Sequence, residues 1–154
     1  MTRLLGVDLG ERRIGLAVAD SAVGLARPLT TLARRRSVEA DATALARIAD
    51  EQRIDELVVG LPLEASGADG QMAAAARAWA QAVGRLVDRP VVLRDERLTS
   101  HVAEERLGPM SRGRSGGPPT KTQRDRYRAR VDREAAAIIL QDELDARASH
   151  AETP

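Results

Sequence analysis

The sequence predicts an α/β fold in which helices pack on both faces of a mixed sheet that starts with an antiparallel hairpin. Residues 4–9 and 14–19 are short apolar runs, and the turn between them contains Gly10, which is typical of a β-hairpin. Strand-like and helix-like segments then alternate along the chain, which favours helices packed on a sheet. Ligands bind at the carboxyl ends of strands in such sheets, so acidic residues there are the first candidates for a site.

The remaining elements follow from apolar periodicity, capping residues and turn residues. Ser37 is a favourable N-cap residue before a helical pattern, and Pro28 restricts the third strand to a sheet edge or a bulge. The predicted elements are a strand at 24–32, a helix at 37–53, a strand at 56–61, a helix at 71–87 with an apolar face of Met72, Ala76, Trp79, Val83 and Leu86, a strand at 90–96, a short helix from Thr99 or Ser100 to Leu107, and a final helix from about 128 to 148.

The length of 154 residues predicts one domain, which we place at residues 1–148. Residues 108–126 are rich in Gly, Pro, Ser and Arg and lack periodicity, so we predict a flexible basic loop there. Residues 149–154 are predicted to form a frayed tail.

Composition excludes several classes of function. The chain has no Cys, which excludes disulfides, thiolate metal sites and cysteine nucleophiles and favours a cytoplasmic location. No segment has the character of a signal peptide or of a membrane span. With one Trp and one Tyr, base stacking on aromatic platforms is disfavoured.

Charge is distributed unevenly, although the net charge of the chain is only +1. Residues 112–133 contain eight basic and two acidic residues, so that this segment carries +6 and the rest of the chain −5. A local excess of this kind is typical of a surface that binds a polyanion such as nucleic acid. A solvated charged loop and helix start is an equally good interpretation of the charge alone.

Asp8 is predicted to lie in an unusual position for an acidic residue. Side chains alternate along a strand, so Leu5, Val7 and Leu9 share one face and Asp8 lies on the other, largely apolar, face. An ionised carboxylate there is costly unless it is hydrogen-bonded, paired or bound to a metal. Capping of the turn at Gly10 is the alternative role for this side chain.

Two further acids lie at the ends of predicted elements: Glu96 at the end of a strand and Asp132 near the start of the final helix. Glu96 ends a strand, and Asp95 beside it faces the opposite way; pairing of Glu96 with Arg94 or Arg97 at the surface is the alternative. Asp132 begins the apolar stripe of the final helix, where it could point toward the sheet or simply interact with the helix dipole.

Three acids from two strand ends and a helix could converge into a metal site made of oxygen ligands. Such ligands suit Mg²⁺ or Mn²⁺ rather than Zn²⁺. Two metals held about 4 Å apart activate water on one side of a phosphodiester and stabilise the leaving oxygen on the other. If Asp8, Glu96 and Asp132 converge, they would form a metal site suited to phosphodiester hydrolysis.

Four ordered motifs span nearly the whole chain: GVDLGERRIGLA from Gly6, GLPL from Gly60 leading to Gly67 and Gly70, DERLTS from Asp95, and VDREAAAIILQ from Val131. Together they resemble the YqgF family of ribonuclease-H-like proteins, which are associated with processing of precursor 16S rRNA and related to Holliday junction resolvases. The resemblance implies a ribonuclease-H-like fold and a metal-dependent nuclease. It also implies that Asp8, Glu96 and Asp132 are the catalytic acids.

Departures from the family pattern occur at Ala19, at Ser66 where Asp is common, at Arg130 in place of Lys, and at Glu143 where an aromatic residue is frequent. Arg130 keeps the positive charge that a phosphate contact requires, although its geometry differs from that of Lys. The residues that we expect to contact nucleic acid are Arg13, Arg97, Arg112, Arg114, Lys121, Arg124 and Arg130.

Three other functions remain open at this stage. Cleavage of four-way DNA junctions requires the same acids and, for paired cuts, two equivalent sites in a homodimer; precursor rRNA cleavage could be the work of a monomer. A non-catalytic RNA-binding factor for ribosome assembly would need only the basic segment. The sugar-kinase and actin type of ATPase shares an Asp-x-Gly turn but closes two domains over its nucleotide, and this chain is too short for two.

Overall fold

A computed structural model describes residues 1–62, 70–96, 99–113 and 116–151 of the chain. Within these residues the backbone forms five strands and four helices. Their bounds are β1 Arg3–Leu9, β2 Arg13–Asp20, β3 Arg27–Ala33, α1 Val38–Glu51, β4 Glu56–Pro62, α2 Gln71–Val87, β5 Val91–Glu96, α3 Thr99–Leu107 and α4 Lys121–Ala151.

The strands form a mixed sheet in the order β3-β2-β1-β4-β5. β1 pairs antiparallel with β2, and β2 pairs antiparallel with β3, which confirms the predicted hairpin at the start of the chain. β1 pairs parallel with β4, and β4 pairs parallel with β5. Since β1, β4 and β5 run in one direction, their carboxyl ends meet at the same edge of the sheet.

Helices cover both faces of the sheet, as predicted. On one face, Leu5 and Val7 of β1 pack with Leu45 of α1 and Trp79 of α2. On the other face, Leu4 of β1 and Val58 of β4 pack with α4. Asp8 shares the orientation of Leu4 because side chains alternate along β1, so its carboxylate lies on the face that α4 covers.

Glycines allow α4 to lie directly on the strands. The register pairs Asp8 with Gly15 of β2 and with Gly60 of β4. A Cβ atom on Gly15 would overlap the backbone carbonyl of Asp132, and one on Gly60 would lie 2.5 Å from the Ile139 side chain. The close approach places Asp132 of α4 directly over Gly15, the residue of β2 that pairs with Asp8.

Pro28 lies on β3 at the edge of the sheet, next to a change of register in β2 between Leu16 and Ala17. The prediction that this proline requires an edge or a bulge is therefore confirmed. β3 begins at Arg27 rather than at residue 24. The preceding segment forms a turn in which the amides of Val23 and Gly24 donate to the carbonyl of Asp20.

The buried face of α2 differs from the predicted one at both ends. Trp79 is buried as expected, and its Nε1 donates to the buried carboxylate of Asp41 at 3.1 Å. Met72 and Leu86, however, are 64% and 54% exposed, respectively. Near its two ends the helix buries Ala73 and Val87 instead. These residues directly follow Met72 and Leu86 in the chain, and it is their side chains that face the sheet.

α4 begins at Lys121, about two turns before the predicted start, so residues 121–126 are helical rather than part of a loop. Thr120 and Gln123 form a reciprocal cap: the amide of Gln123 donates to Thr120 Oγ1 at 3.1 Å, and the amide of Thr120 donates to Gln123 Oε1 at 2.8 Å. This pair is a capping box, which stabilises a helix start. The helix also continues through residues 149–151, which were predicted to be frayed.

Replacing Thr120 with Ala should fray the first turns of α4. The loss of the cap should cost about 1 kcal/mol, and the amides of residues 123–126 should exchange with deuterium several times faster. Thr122→Ala is the matched control, since Thr122 is exposed and its hydroxyl makes no hydrogen bond to another described residue. Equal exchange in the two variants would contradict the capping role of Thr120.

Within the described ranges, no helix is long and apolar enough to cross a lipid bilayer.

Candidate active site

Asp8 lies partly buried at the end of β1, between Gly15 of β2 and Gly60 of β4. Burial, and to a smaller extent the negative charge of Asp132, together raise the pKa of the Asp8 carboxyl from 3.8 to about 7. Removal from water disfavours the charged form, and a nearby like charge does the same. A bound cation would reverse both effects, which makes Asp8 suited to hold one.

Asp132 lies on α4 with its carboxylate beside the hairpin. Its Oδ2 accepts a hydrogen bond from Arg13 Nε at 2.7 Å, with the two side chains 19% and 26% exposed. Burial raises the pKa of Asp132, while the hydrogen bond and charge of Arg13 and the charge of Arg128 lower it. Asp8 and Asp132 therefore form a pair of interacting carboxylates at which one guanidinium is already bound.

Glu96 lies at the end of β5 and interacts with a different part of α4. Burial, together with a hydrogen bond and the charge of Asp142, raises the pKa of Glu96 to about 8, while Arg94 and Thr99 lower it. Glu96 Oε1 lies 3.4 Å from Arg94 Nε, and Thr99 Oγ1 donates to Oε2 at 3.4 Å. The Glu96 carboxyl therefore holds its proton more tightly than an exposed glutamate does.

The structure brings together Asp8 and Asp132, whereas Glu96 pairs with Asp142. Asp142 follows Asp132 by ten residues on α4, a distance of about 15 Å along the helix axis. In the described part of the chain, no group of three or more His, Cys, Asp or Glu side chains is placed to hold a single metal ion. The sheet edge thus presents two acidic pairs, one at each end of the α4 segment that crosses it.

Ion pairs hold Arg94 near the second pair. Its Nη1 lies 3.3 Å from Glu143 Oε1, and Glu143 Oε2 accepts from Arg147 Nε at 2.8 Å. Arg147 also binds Glu56 on β4 at 2.7 Å. Glu143, where an aromatic residue is frequent in the family, therefore serves as the centre of an ionic network that ties α4 to β4 and β5.

Four of the basic residues expected to contact nucleic acid are exposed. Arg112 and Arg124 donate to backbone carbonyls of the neighbouring segment, at Gly116 and Pro119, while Lys121 and Arg130 project from α4. The fifth, Arg13, is partly buried in its ion pair with Asp132. Arg97 and Arg114 lie outside the described residues.

Two residues of the site escaped the sequence interpretation. Arg128 lies one turn before Asp132, and Lys121, Arg124 and Arg128 follow one another at spacings of three and four, which places them along one side of α4. This spacing was readable in the sequence once the helix start was known. Asp142 gave no such signal, because its proximity to Glu96 depends on the angle at which α4 crosses the sheet.

The Asp8 and Asp132 pair fits a hard divalent cation. Carboxylate oxygens are the ligands that Mg²⁺ and Mn²⁺ prefer in proteins, and both groups carry raised pKa values that a cation would bring down. The Arg13 guanidinium at 2.7 Å shows that the site already attracts positive charge.

Replacing Arg13 with Gln should destabilise the protein at pH 8 in the presence of a chelator. The change removes the hydrogen-bonded cation from Asp132 and leaves only the charge of Arg128 to offset the two carboxylates, which should lower the free energy of unfolding by about 2 kcal/mol. Mg²⁺ should restore more stability to this variant than to the wild type, measured as the shift of the thermal midpoint. Arg12→Gln is the matched control, since Arg12 is exposed; an equal loss in both variants would contradict the pairing.

The strand order, the carboxylate at the end of β1 and a second carboxylate on the last helix define a ribonuclease-H-like domain. Among solved structures, the chain is similar to Thermus thermophilus RuvC in complex with a Holliday junction substrate, with a TM-score of 0.50 and 17% identity over 96% of each chain. The chain belongs to the RuvX family, described as Holliday junction resolvases, whose model matches residues 2–146.

Close relatives carry a different name from that of the family model. A protein of Anaeromyxobacter sp. (strain K), named as a candidate pre-16S rRNA nuclease, is 46% identical over 146 residues, covering 95% of this chain and 98% of its own length. A protein of the same name from Chloroflexus aggregans is 41% identical over 144 residues, covering 94% of each. The resemblance to the YqgF family and the ribonuclease-H-like fold are therefore confirmed.

Proposed function

We propose that this protein is a divalent-metal-dependent nuclease that cleaves phosphodiester bonds of precursor 16S rRNA during maturation of its 5′ end. The observation that carries the proposal is the Asp8 and Asp132 pair, two interacting carboxylates at the carboxyl end of β1 with an arginine at 2.7 Å. Pairs of this kind hold the cations that catalyse phosphodiester hydrolysis. A protein with this activity acts in the cytoplasm, where ribosomes are assembled.

Asp8 and Asp132 would hold Mg²⁺ or Mn²⁺, and the bound metal would supply the activated water and the stabilisation of the leaving oxygen. The chain's own contribution is to fix the two carboxylates: β1 orients Asp8, and the contact of α4 with Gly15 sets the height of Asp132 above the sheet. Arg13 lies at the same point; its Nε donates to Asp132, and its other guanidinium donors are available to a phosphate.

The basic side of α4 would bind the nucleic-acid backbone. Lys121, Arg124 and Arg128 follow one another along α4 toward Asp132, so a phosphate chain bound along them would reach the acidic pair. Binding through phosphates releases counterions, and affinity should fall steeply as salt concentration rises. Precursor rRNA is favoured over branched DNA because relatives at 46% and 41% identity carry the rRNA name, while the RuvC likeness at 17% supports only the fold.

Cleavage of a labelled fragment spanning the 5′ end of 16S rRNA tests the proposal. We expect cleavage with Mg²⁺ or Mn²⁺ and none with a chelator, and little cleavage of a four-way DNA junction under the same conditions. The family description keeps junction resolution as the second candidate. If the protein is a homodimer by light scattering and prefers to make paired cuts in the junction, junction resolution is favoured. If it binds both substrates and cleaves neither, a non-catalytic assembly factor is favoured.

A further inference from the structure

A cleft between α3 and α4 opens beside the Asp8 and Asp132 pair. Its volume is about 470 Å³, within the range of about 300–1,000 Å³ that is usual for small-ligand sites. Arg13, Arg128 and Asp132 line one part of it, and Glu104 of α3 lines another. The cleft therefore continues the catalytic site toward α3, and its lining contains both signs of charge.

Two guanidinium groups make the catalytic end of the cleft suited to phosphate. Arg13 reaches Asp132 at 2.7 Å, and the charge of Arg128 acts on the same carboxylate. Arg128 is exposed and forms no ion pair with another described residue. Arginine is a preferred partner of phosphate because it can donate two parallel hydrogen bonds. The phosphate backbone would enter the cleft here from the side of α4 that also carries Arg124.

Glu104 stands apart from its neighbours on α3 because its carboxylate has no hydrogen-bond or ion-pair partner among the described residues. Glu105 binds His101 at 3.0 Å, and Arg106 binds Glu134 at 3.4 Å. Glu104 is exposed and lines the cleft. A carboxylate accepts hydrogen bonds and repels phosphate, so its partner in a nucleic acid would be an uncharged donor.

The remaining lining of the cleft is largely apolar, and Tyr127 in it is anchored by a hydrogen bond. Tyr127 is partly buried against the α3 and α4 contact, and its hydroxyl donates to the carbonyl of Gly108 at 2.8 Å. Met110 and Val131 complete this part of the lining. A sugar ring has an apolar edge of carbon atoms that such a lining can contact, while its hydroxyl group faces a polar neighbour.

We propose that this cleft binds the ribonucleotide next to the scissile phosphate, and that Glu104 accepts a hydrogen bond from its 2′-hydroxyl and so selects RNA over DNA. The proposal rests on the proposed function in taking Asp8 and Asp132 as the reacting centre. The 2′-hydroxyl is on the sugar carbon next to the one that bears the 3′-phosphate. Arginines that hold this phosphate therefore bring the hydroxyl into the same cleft, and the 2′-hydroxyl is the group by which proteins distinguish RNA from DNA.

The test compares the affinities of three oligonucleotides of one sequence: RNA, DNA, and RNA with 2′-fluorine in place of each hydroxyl. The fluorinated strand keeps the sugar conformation of RNA but has no donor, so it separates recognition of the hydroxyl from recognition of shape. Fluorescence anisotropy in the presence of a chelator measures binding without cleavage. The variants are Glu104→Ala and the control Glu105→Ala on the same helix.

We expect the wild type to prefer RNA over both other strands by about tenfold, the effect of one hydrogen bond to a charged group. Glu104→Ala should remove this preference, because loss of the negative charge strengthens binding of all three strands alike while loss of the acceptor weakens only RNA. Glu105→Ala should keep the preference. A preference that persists in Glu104→Ala, or that the fluorinated strand shares with RNA, would overturn the assignment.

Cleavage of the precursor rRNA fragment with Mg²⁺ is measured in parallel, so that the two proposals fail separately. Binding that depends on Glu104 without cleavage would support the cleft and contradict the nuclease. Cleavage by a protein whose RNA preference does not change in Glu104→Ala would support the nuclease and overturn the cleft. Arg128→Gln should weaken binding of all three strands, and Arg126→Gln, which removes the same charge outside the cleft, should weaken it less.

Discussion

Asp8→Asn should make the metal-free protein more stable than the wild type at pH 8. The raised pKa of Asp8, about 7, corresponds to as much as about 4 kcal/mol of unfavourable free energy for the ionised group. Solvent around the partly buried side chain should reduce this to about 2 kcal/mol. Asn has a similar shape and no charge, so the variant should unfold at higher denaturant concentration in the presence of a chelator.

The stability difference between Asp8→Asn and the wild type should depend on pH. Since folding raises the pKa of Asp8 from 3.8 to about 7, the folded state holds the proton more tightly than the unfolded chain. The destabilisation is absent below pH 3.8, increases between pH 3.8 and 7, and is complete above pH 7. The two proteins should therefore be equally stable near pH 3.5 and should diverge as pH rises. A variant less stable than the wild type at pH 8 would contradict the origin assigned to the pKa shift.

Divalent cations should reverse this order. Mg²⁺ or Mn²⁺ should raise the thermal midpoint of the wild type, because ligands that bind only the folded state stabilise it by mass action. Asp8→Asn should show little of this effect. Asp88→Asn is the matched control: Asp88 is exposed in the left-handed conformation at the end of α2, a conformation that Asn also adopts. An equal response to metal in wild type and Asp8→Asn would exclude Asp8 from the metal site.

Gly15→Ala should separate α4 from the hairpin and disrupt the site that they form together. The added Cβ would overlap the backbone carbonyl of Asp132, and backbone cannot move aside as a flexible side chain can. Overpacking of a well-packed interface costs about 1–3 kcal/mol, occasionally more, and this contact between main chains should lie at the upper end. Denaturant unfolding measures the loss of stability, and cleavage of the rRNA fragment measures the loss of the site.

A second effect separates this displacement from general destabilisation. α4 also carries Arg128, so a shift of the helix should weaken RNA binding as well as cleavage at temperatures at which the variant remains folded. Gly60→Ala is a useful comparison, because its Cβ would meet the side chain of Ile139 rather than backbone and rotation of that side chain can relieve the contact. If Gly15→Ala keeps the stability and the cleavage rate of the wild type, the position of α4 does not depend on its close contact with Gly15.

The order of elements could be predicted from the sequence because each depends on local chemistry. The alternation of apolar residues placed Asp8 near the end of the first strand, on the face opposite Leu5 and Val7, and Pro28 correctly indicated an edge strand. The early start of α4 was also encoded, in the capping pair of Thr120 and Gln123. Glycine and proline residues upstream obscured it, since composition favoured a loop across the whole segment.

The partners of the acids could not be predicted in the same way. Alternation along β5 indicates which way Glu96 faces, but its pairing with Asp142 depends on how α4 crosses the sheet. Similarly, the sequence placed Arg13 among the residues for nucleic acid, and only the packing of α4 on the hairpin shows that it binds Asp132. The face on which a residue lies follows from the side-chain periodicity of its strand or helix. Contacts between elements depend instead on how closely small residues, such as glycine and alanine, allow those elements to approach.

Cleavage of the precursor 16S rRNA fragment by wild type, Asp8→Asn and Asp88→Asn in Mn²⁺ tests the central claim most directly. We expect wild type and Asp88→Asn to cleave at equal rates and Asp8→Asn to be slower by about a thousandfold or more, since a lost metal ligand removes several kcal/mol of transition-state stabilisation. RNA binding should be retained in all three proteins. Cleavage by Asp8→Asn at the wild-type rate would contradict the assignment of Asp8 and Asp132 as the catalytic centre.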